Sequence, residues 1–289
     1  MCNRFLIALA ALLLAACQPA PQTARPALWQ VDGPGGERAW LLGTIHALPD
    51  PVSLESPAFN RAMAEADRLV VEVAALEDDR QTALAFHKLS AVAAAPPITA
   101  RAHPQDRAAL AALLDQAKLP PDHFGQMDTW AAALTLAQTL SSRSGDSSAN
   151  GIDRLVLRAM RGKLVTEFEG AERQLAIFDA LPESEQRDLL GAVVRSAGEA
   201  RTESLKLQQA YLRGDVAALV ALDHDGLLAD PELRQALLVG RNRAWLDQLE
   251  PMLKAGAKPL VAVGALHLVG QDGLVAGLQA RGFTVTRLQ

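Results

Sequence analysis

The feature that most constrains this chain is a short motif that occurs twice, once near each end. Trp40-Leu41-Leu42-Gly43-Thr44-Ile45-His46 and Leu260-Val261-Ala262-Val263-Gly264-Ala265-Leu266-His267 are both apolar, strand-like runs. Each ends in a glycine followed three residues later by a histidine. The glycine is read as the point where the backbone turns away from a sheet. In open α/β sheets, ligands bind in the crevice beyond the strand ends, so two such runs laid side by side would aim both imidazoles into one cleft. Taken singly, either histidine reads as a hydrogen-bonded turn residue; the pairing is what suggests a site.

The segments between them are read as alternating strands and helices. Trp29–Val31 and Arg38–Ile45 flank Gly33-Pro34-Gly35-Gly36, the pattern of a hairpin. Ala58–Ala66 is helical in spacing, and Arg68–Val73 is strand-like with Glu72 inside it. On a simple strand Glu72 alternates away from its flanking valines toward solvent, but a buried polar position fits equally well. Residues 76–140 predict about three helices, broken at Pro96-Pro97, Pro104 and Pro120-Pro121. Residues 141–150 read as a solvated connection. Gly151-Ile152-Asp153 opens a helix with Asp153 placed to cap it. Lys163–Glu169 is a strand with Glu169 at its end, a position that also suits a first-turn acid of the helix 171–180. A long helix is expected from Pro182 to Arg213, broken near Gly198, then one over 216–222 and another over 231–254 carrying Arg241-Asn242-Arg243-Ala244-Trp245. A helix after Gly273 and a strand over 283–288 close the chain. The fold expected is α/β: a single domain with a central sheet, strand-end Gly-x-x-His motifs from both chain ends, and helices around it.

Other histidines offer less. His87, His103 and His123 lack a partner at helical spacing and read as surface or capping residues, and in Asp223-His224-Asp225 adjacent side chains do not easily reach one ion.

The N-terminus predicts export. Arg4 precedes the apolar run 5–16, too short to span a bilayer, and Leu14-Ala15-Ala16-Cys17 resembles a bacterial lipobox. We read 1–16 as a signal peptide, 17–27 as a proline-rich tether after a lipidated Cys17, and 28–289 as the folded domain. Gln18 after the cysteine is similar to lipoproteins sent to the outer membrane, facing the periplasm. With Cys2 lost alongside the signal, no disulfide is available, so the hydrophobic core must hold the domain. A net charge of −5 without a Lys/Arg block argues against nucleic acid as a partner, and membrane contact is expected through the anchor only.

Taken together, Leu41–His46, Val71-Glu72, Gly151-Ile152-Asp153, Phe168-Glu169 with Gln174, Arg241-Asn242 with Trp245, and Val263–Leu268 with Gly270 and Gly273 resemble the TraB/GumN family, which includes the Tiki proteins. The resemblance runs in order from about Trp29 to the C-terminus. It implies a divalent-metal-dependent protease whose site is built from the paired histidines and glutamates, here His46, His267, Glu72 and Glu169. Residue chemistry and resemblance then give one expectation: His46, His267 and Glu72 as ligands of Mn, Co or Zn; Glu169 as base or further ligand; Arg241 or Asn242 steadying an oxyanion. The substrate would be a peptide or protein of the cell envelope. The alternative is a non-catalytic, lipid-anchored binding or regulatory protein that uses the same cleft.

Overall fold

In a computed structural model, the described residues are 22–77, 79–120, 122–143, 145–222 and 226–289, without the side chains of Glu77, Asp79 and residues 198–204. The signal peptide, Cys17 and Asp223-His224-Asp225 lie outside the described residues.

The strands are β1 (Gln22–Thr23), β2 (Leu28–Asp32), β3 (Arg38–Thr44), β4 (Val52–Ser53), β5 (Arg68–Val71), β6 (Leu164–Glu167), β7 (Pro259–Gly264) and β8 (Thr284–Arg287). Six of them form one mixed sheet in the order β6-β5-β7-β3-β2-β8. The first four in that order run parallel, and β2 pairs antiparallel with both β3 and β8. Strands β1 and β4 make a separate two-stranded pair. The two Gly-x-x-His strands are direct neighbours: β3 and β7 pair with Gly43 opposite Val263 and Thr44 opposite Gly264. The sheet thus joins the two ends of the chain.

The helices are α1 (Pro57–Glu65), α2 (Asp79–Ser90), α3 (Ile98–Arg101), α4 (Arg107–Ala117), α5 (Thr129–Arg143), α6 (Ile152–Ala159), α7 (Ala171–Asp179), α8 (Glu183–Arg213), α9 (Val216–Leu222), α10 (Pro231–Arg234), α11 (Gly240–Lys254) and α12 (Leu274–Ala280). Local chemistry sets their limits. Ser56 Oγ caps α1 by accepting from Phe59 N–H at 3.1 Å, with Pro57 in its first turn. Gly214, at φ +64°, ends α8. Helix α8 runs unbroken through Gly198, contrary to the break expected there; a single helical glycine costs only about 1 kcal/mol relative to alanine, which packing can outweigh.

The period of two along the central strands divides the core. Leu41, Val70, Val261 and Val263 face Trp245, Leu249 and Leu253 of α11 and Leu274 and Leu278 of α12. On the opposite face Trp40, Leu42, Leu69, Leu260 and Ala262 meet Phe59 and Ala62 of α1, Ile152 and Val156 of α6, and Tyr211 of α8. Strands β3 and β7 are consequently buried on both faces, as continuous apolar runs in parallel sheets should be. A third cluster, with Ile98, Leu110, Trp130, Leu136, Leu190 and Leu233, holds the helices of the middle of the chain together. Residues 22–27, read as tether in the sequence, lie on this body. Ala24 and Ala27 are buried, and Ala24 N–H and Arg25 N–H donate to Ser53 and Leu212 carbonyls at 2.8 Å. Among the described residues no helix is long and apolar enough to cross a membrane.

Candidate active site

The parallel strands end together, and the polar residues cluster just past those ends. His46 lies two residues beyond β3, Glu72 follows β5 directly, Glu169 lies two beyond β6, and His267 lies three beyond β7. Glu72 is buried rather than solvated, which resolves the alternative left open by its alternation. Its carbonyl accepts from Glu169 N–H at 3.2 Å and Gly170 N–H at 3.1 Å, so the end of β6 is folded over the end of β5. Gly170, at φ +77°, allows that turn.

The glycines of the twin motifs serve by their size. Gly264 has φ −47°, which any residue adopts. A Cβ there would stand 3.3 Å from Glu72 Oε1 and 3.5 Å from His267 Cδ2; one at Gly43 would stand 3.1 Å from Ala265 Cβ. Each glycine makes room for the other strand's turn or for the site itself.

Both imidazoles are held at Nδ1 by a side-chain oxygen. His46 Nδ1–H donates to Asp153 Oδ2 at 2.8 Å, and Thr44 Oγ1 donates to the other oxygen of the same carboxylate. His267 Nδ1–H donates to Asn242 Oδ1 at 2.6 Å, while Asn242 Nδ2 donates to Asp272 carbonyl at 2.8 Å and so fixes the amide's orientation. In the neutral His267 ring this leaves Nε2 with its lone pair, whereas the His46 ring, paired with Asp153, offers its Nε2 lone pair only once it has lost a proton. Trp245 packs on His267 with ring centroids 4.4 Å apart.

Arg241 sits at the hub. Its Nη2 donates to Glu72 Oε2 at 2.6 Å and Glu169 Oε2 at 2.8 Å, and its Nη1 donates to His267 Nε2 at 3.2 Å. Glu72 also accepts from Gly264 N–H at 2.7 Å and Gln174 Nε2 at 3.0 Å, and Glu169 from Trp245 Nε1 at 2.9 Å. Arg241 leaves α11 two residues after a π-helical segment, Gln235–Val239, a widened turn of a kind found often at functional sites.

Protonation follows from these surroundings. Burial pushes His267 down to about 3, against the pull of Glu72, so the ring is neutral. Burial alone would raise the Glu72 carboxyl, but His267, Arg241, His46 and the Gly264 N–H hold it down at about 2. Asp153 raises His46 toward about 9; the imidazole is 72% exposed, and water moderates that pairing.

The two histidines line one cavity of about 530 Å³, together with Arg241 and a set of apolar side chains. A smaller recess beside it is bounded by His46, Glu72, Asp153 and Gln174. The sequence-derived candidates are thus gathered at one edge of the sheet. Asn242 alone is turned inward, toward His267 and Asp272. Sequence reasoning took Asp153 for a helix cap only; its place directly after Gly151-Ile152 was the available signal. In the structure it holds His46, with Ile152 N–H donating to the Ile45 carbonyl at 2.9 Å.

The donor chemistry, two imidazoles and a carboxylate, suits a divalent ion once His46 has given up its second proton. His46, His267 and Glu72 do not form a trio of donor atoms within 4.8 Å of one another, and the Arg241 guanidinium bonds to both Glu72 and His267. Among the described residues, the trio of acidic or imidazole ligand atoms lying within 4.8 Å of one another is Glu185, Asp230 and Glu232, away from the cleft.

A mixed α/β sheet with paired strand-end imidazoles and buried, ion-paired glutamates defines a polar cleft of the kind that binds or transforms a ligand. The chain belongs to the TraB/PrgY/gumN family, whose model matches residues 27–287. No curated protein and no solved structure matches it.

Proposed function

We propose that this chain is a divalent-metal-dependent hydrolase acting on peptide bonds in the cell envelope, anchored through Cys17. One observation carries the reading: His46 and His267 come from opposite ends of the chain to neighbouring strand ends and line one cavity, each with Nδ1 held by a side-chain oxygen. His46, His267 and Glu72 are the proposed ligands of Mn, Co or Zn. When bound, such an ion supplies a Lewis acid and a hydroxide near neutral pH. Glu169, once released from Arg241, is the carboxylate that takes and returns a proton. Arg241 is then the cation that steadies an oxyanion. Asn242 is assigned a positioning role, holding the His267 ring, and Asp153 does the same for His46.

A second reading has its own observation. Arg241 already links Glu72, Glu169 and His267, as a structural cross-link in a non-catalytic binding or regulatory protein would. Equilibrium dialysis of the purified protein against Mn, Co and Zn separates the two. The hydrolase reading expects roughly one ion per chain, lost in His46→Ala and in His267→Ala, and cleavage of unfolded peptides that disappears with the ion. No bound ion, or cleavage undiminished with both histidines replaced, leaves the binding protein.

A further inference from the structure

The cavity at the histidines continues away from them as an apolar trough. Its walls come from separate elements: Phe178 of α7, Leu207 of α8, Leu222 of α9, Leu227 and Leu228 of the 3₁₀ turn Gly226–Ala229, and Leu266 of the second histidine motif. Leu207, Leu227, Leu228 and Leu266 are only partly buried, so they present apolar surface that the fold leaves uncovered. Among the described residues, the one lining side chain of fixed charge is Arg241, whose charge is already met by Glu72 and Glu169. Away from the histidines the described walls are apolar, and a buried unpaired charge set against them would be strongly disfavoured.

Building on the hydrolase reading, we propose that this trough is the specificity pocket: it takes two or more large apolar side chains of a peptide adjacent to the bond that His46 and His267 face. Its volume, about 530 Å³, falls in the range of pockets that enclose a ligand and is far more than one leucine side chain fills. Its polar end is the candidate site itself, so a peptide seated by its apolar residues has its backbone carried to the imidazoles. Selectivity comes from desolvation, and discrimination between leucine and serine at one such position is expected to be about tenfold or more.

The test uses the purified full chain and two fluorescein-labelled peptides, identical except that adjacent Leu-Phe in one is Ser-Ser in the other. Binding is read by fluorescence anisotropy, and cleavage separately by mass spectrometry. The apolar peptide should bind at least tenfold more tightly. Leu228→Asn and Leu207→Asn, on different walls, should each weaken it several-fold and leave the polar peptide unchanged, with circular dichroism and melting showing both variants folded. Equal binding of the two peptides, or folded variants without effect, overturns the proposal. So does dodecanoate binding that Leu228→Asn abolishes while neither peptide binds, because the trough would then hold an acyl chain. Cleavage without apolar preference removes the trough and keeps the hydrolase. Apolar binding without cleavage under any metal does the reverse.

Discussion

Asp153, in the first turn of α6, accepts a hydrogen bond from His46 Nδ1 across 2.8 Å, joining residues 107 positions apart. The contact fixes which nitrogen of His46 carries the proton, and so which one faces the cleft. It makes α6 part of the site although no residue of that helix was among the expected ligands.

Asp153→Asn should lower the His46 pKa, measured by NMR titration of the metal-free protein. Because folding raises His46 from 6.5 toward about 9, the pairing stabilises the fold below its ordinary value and that contribution fades as pH rises through the folded value. The stability gap between wild type and variant should therefore be full at pH 5 to 6 and close at alkaline pH. Activity or metal affinity should fall about 10- to 100-fold.

Arg241→Met leaves Glu72 and Glu169 buried without their cation. A loss of about 3–5 kcal/mol in urea denaturation is expected near neutral pH. Glu72 is depressed from 4.5 to about 2, so its contribution is present above 4.5 and is lost as pH falls through 2. The variant's acid limb should shrink and move to higher pH, since His267, His46 and the Gly264 N–H still act on Glu72. Arg241→Lys should restore only part of the stability, since an ammonium cannot span both carboxylates in the same fork.

Gly151→Ala tests the seam between the first histidine motif and α6. A Cβ at 151 would lie 2.3 Å from the His46 carbonyl oxygen, so backbone must shift. The expected cost is about 1–3 kcal/mol, seen as a lower melting temperature. The His46 titration should move toward its unperturbed value as Asp153 is displaced.

Cys17→Ser tests the proposed anchor independently of the site. The variant should leave the membrane fraction on cell lysis, since acyl burial would be what holds the protein there. Undiminished membrane association would remove the lipoprotein reading.

The strands with the clearest patterns were legible because their patterns have one physical meaning. The apolar runs of β3 and β7 occupy positions buried on both faces, and the Gly/Pro turn between β2 and β3 is a hairpin. The clustering of His46, Glu169 and His267 followed from strand ends, and Glu72 was added to them only by the family resemblance. What could not be read was set by contacts distant in sequence. Glu72 alternates toward solvent on a lone strand, yet the end of β6 and Arg241 enclose it. The hub role of Arg241 rests on partners 26 to 169 residues away, and the π turn ahead of it leaves no periodicity signal. Four helices, rather than about three, fill residues 79–143, because the four-residue α3 is too short to show a repeat.

The pairing of β3 with β7 also has a consequence for how the molecule comes into being. Loop closure over such a separation is slow, and it can occur only once both partners are available. A chain still emerging, or truncated between Thr44 and Pro259, has one imidazole without its neighbour strand and an incomplete cavity. The cleft is therefore assembled only when the last strands of the chain have joined the first ones.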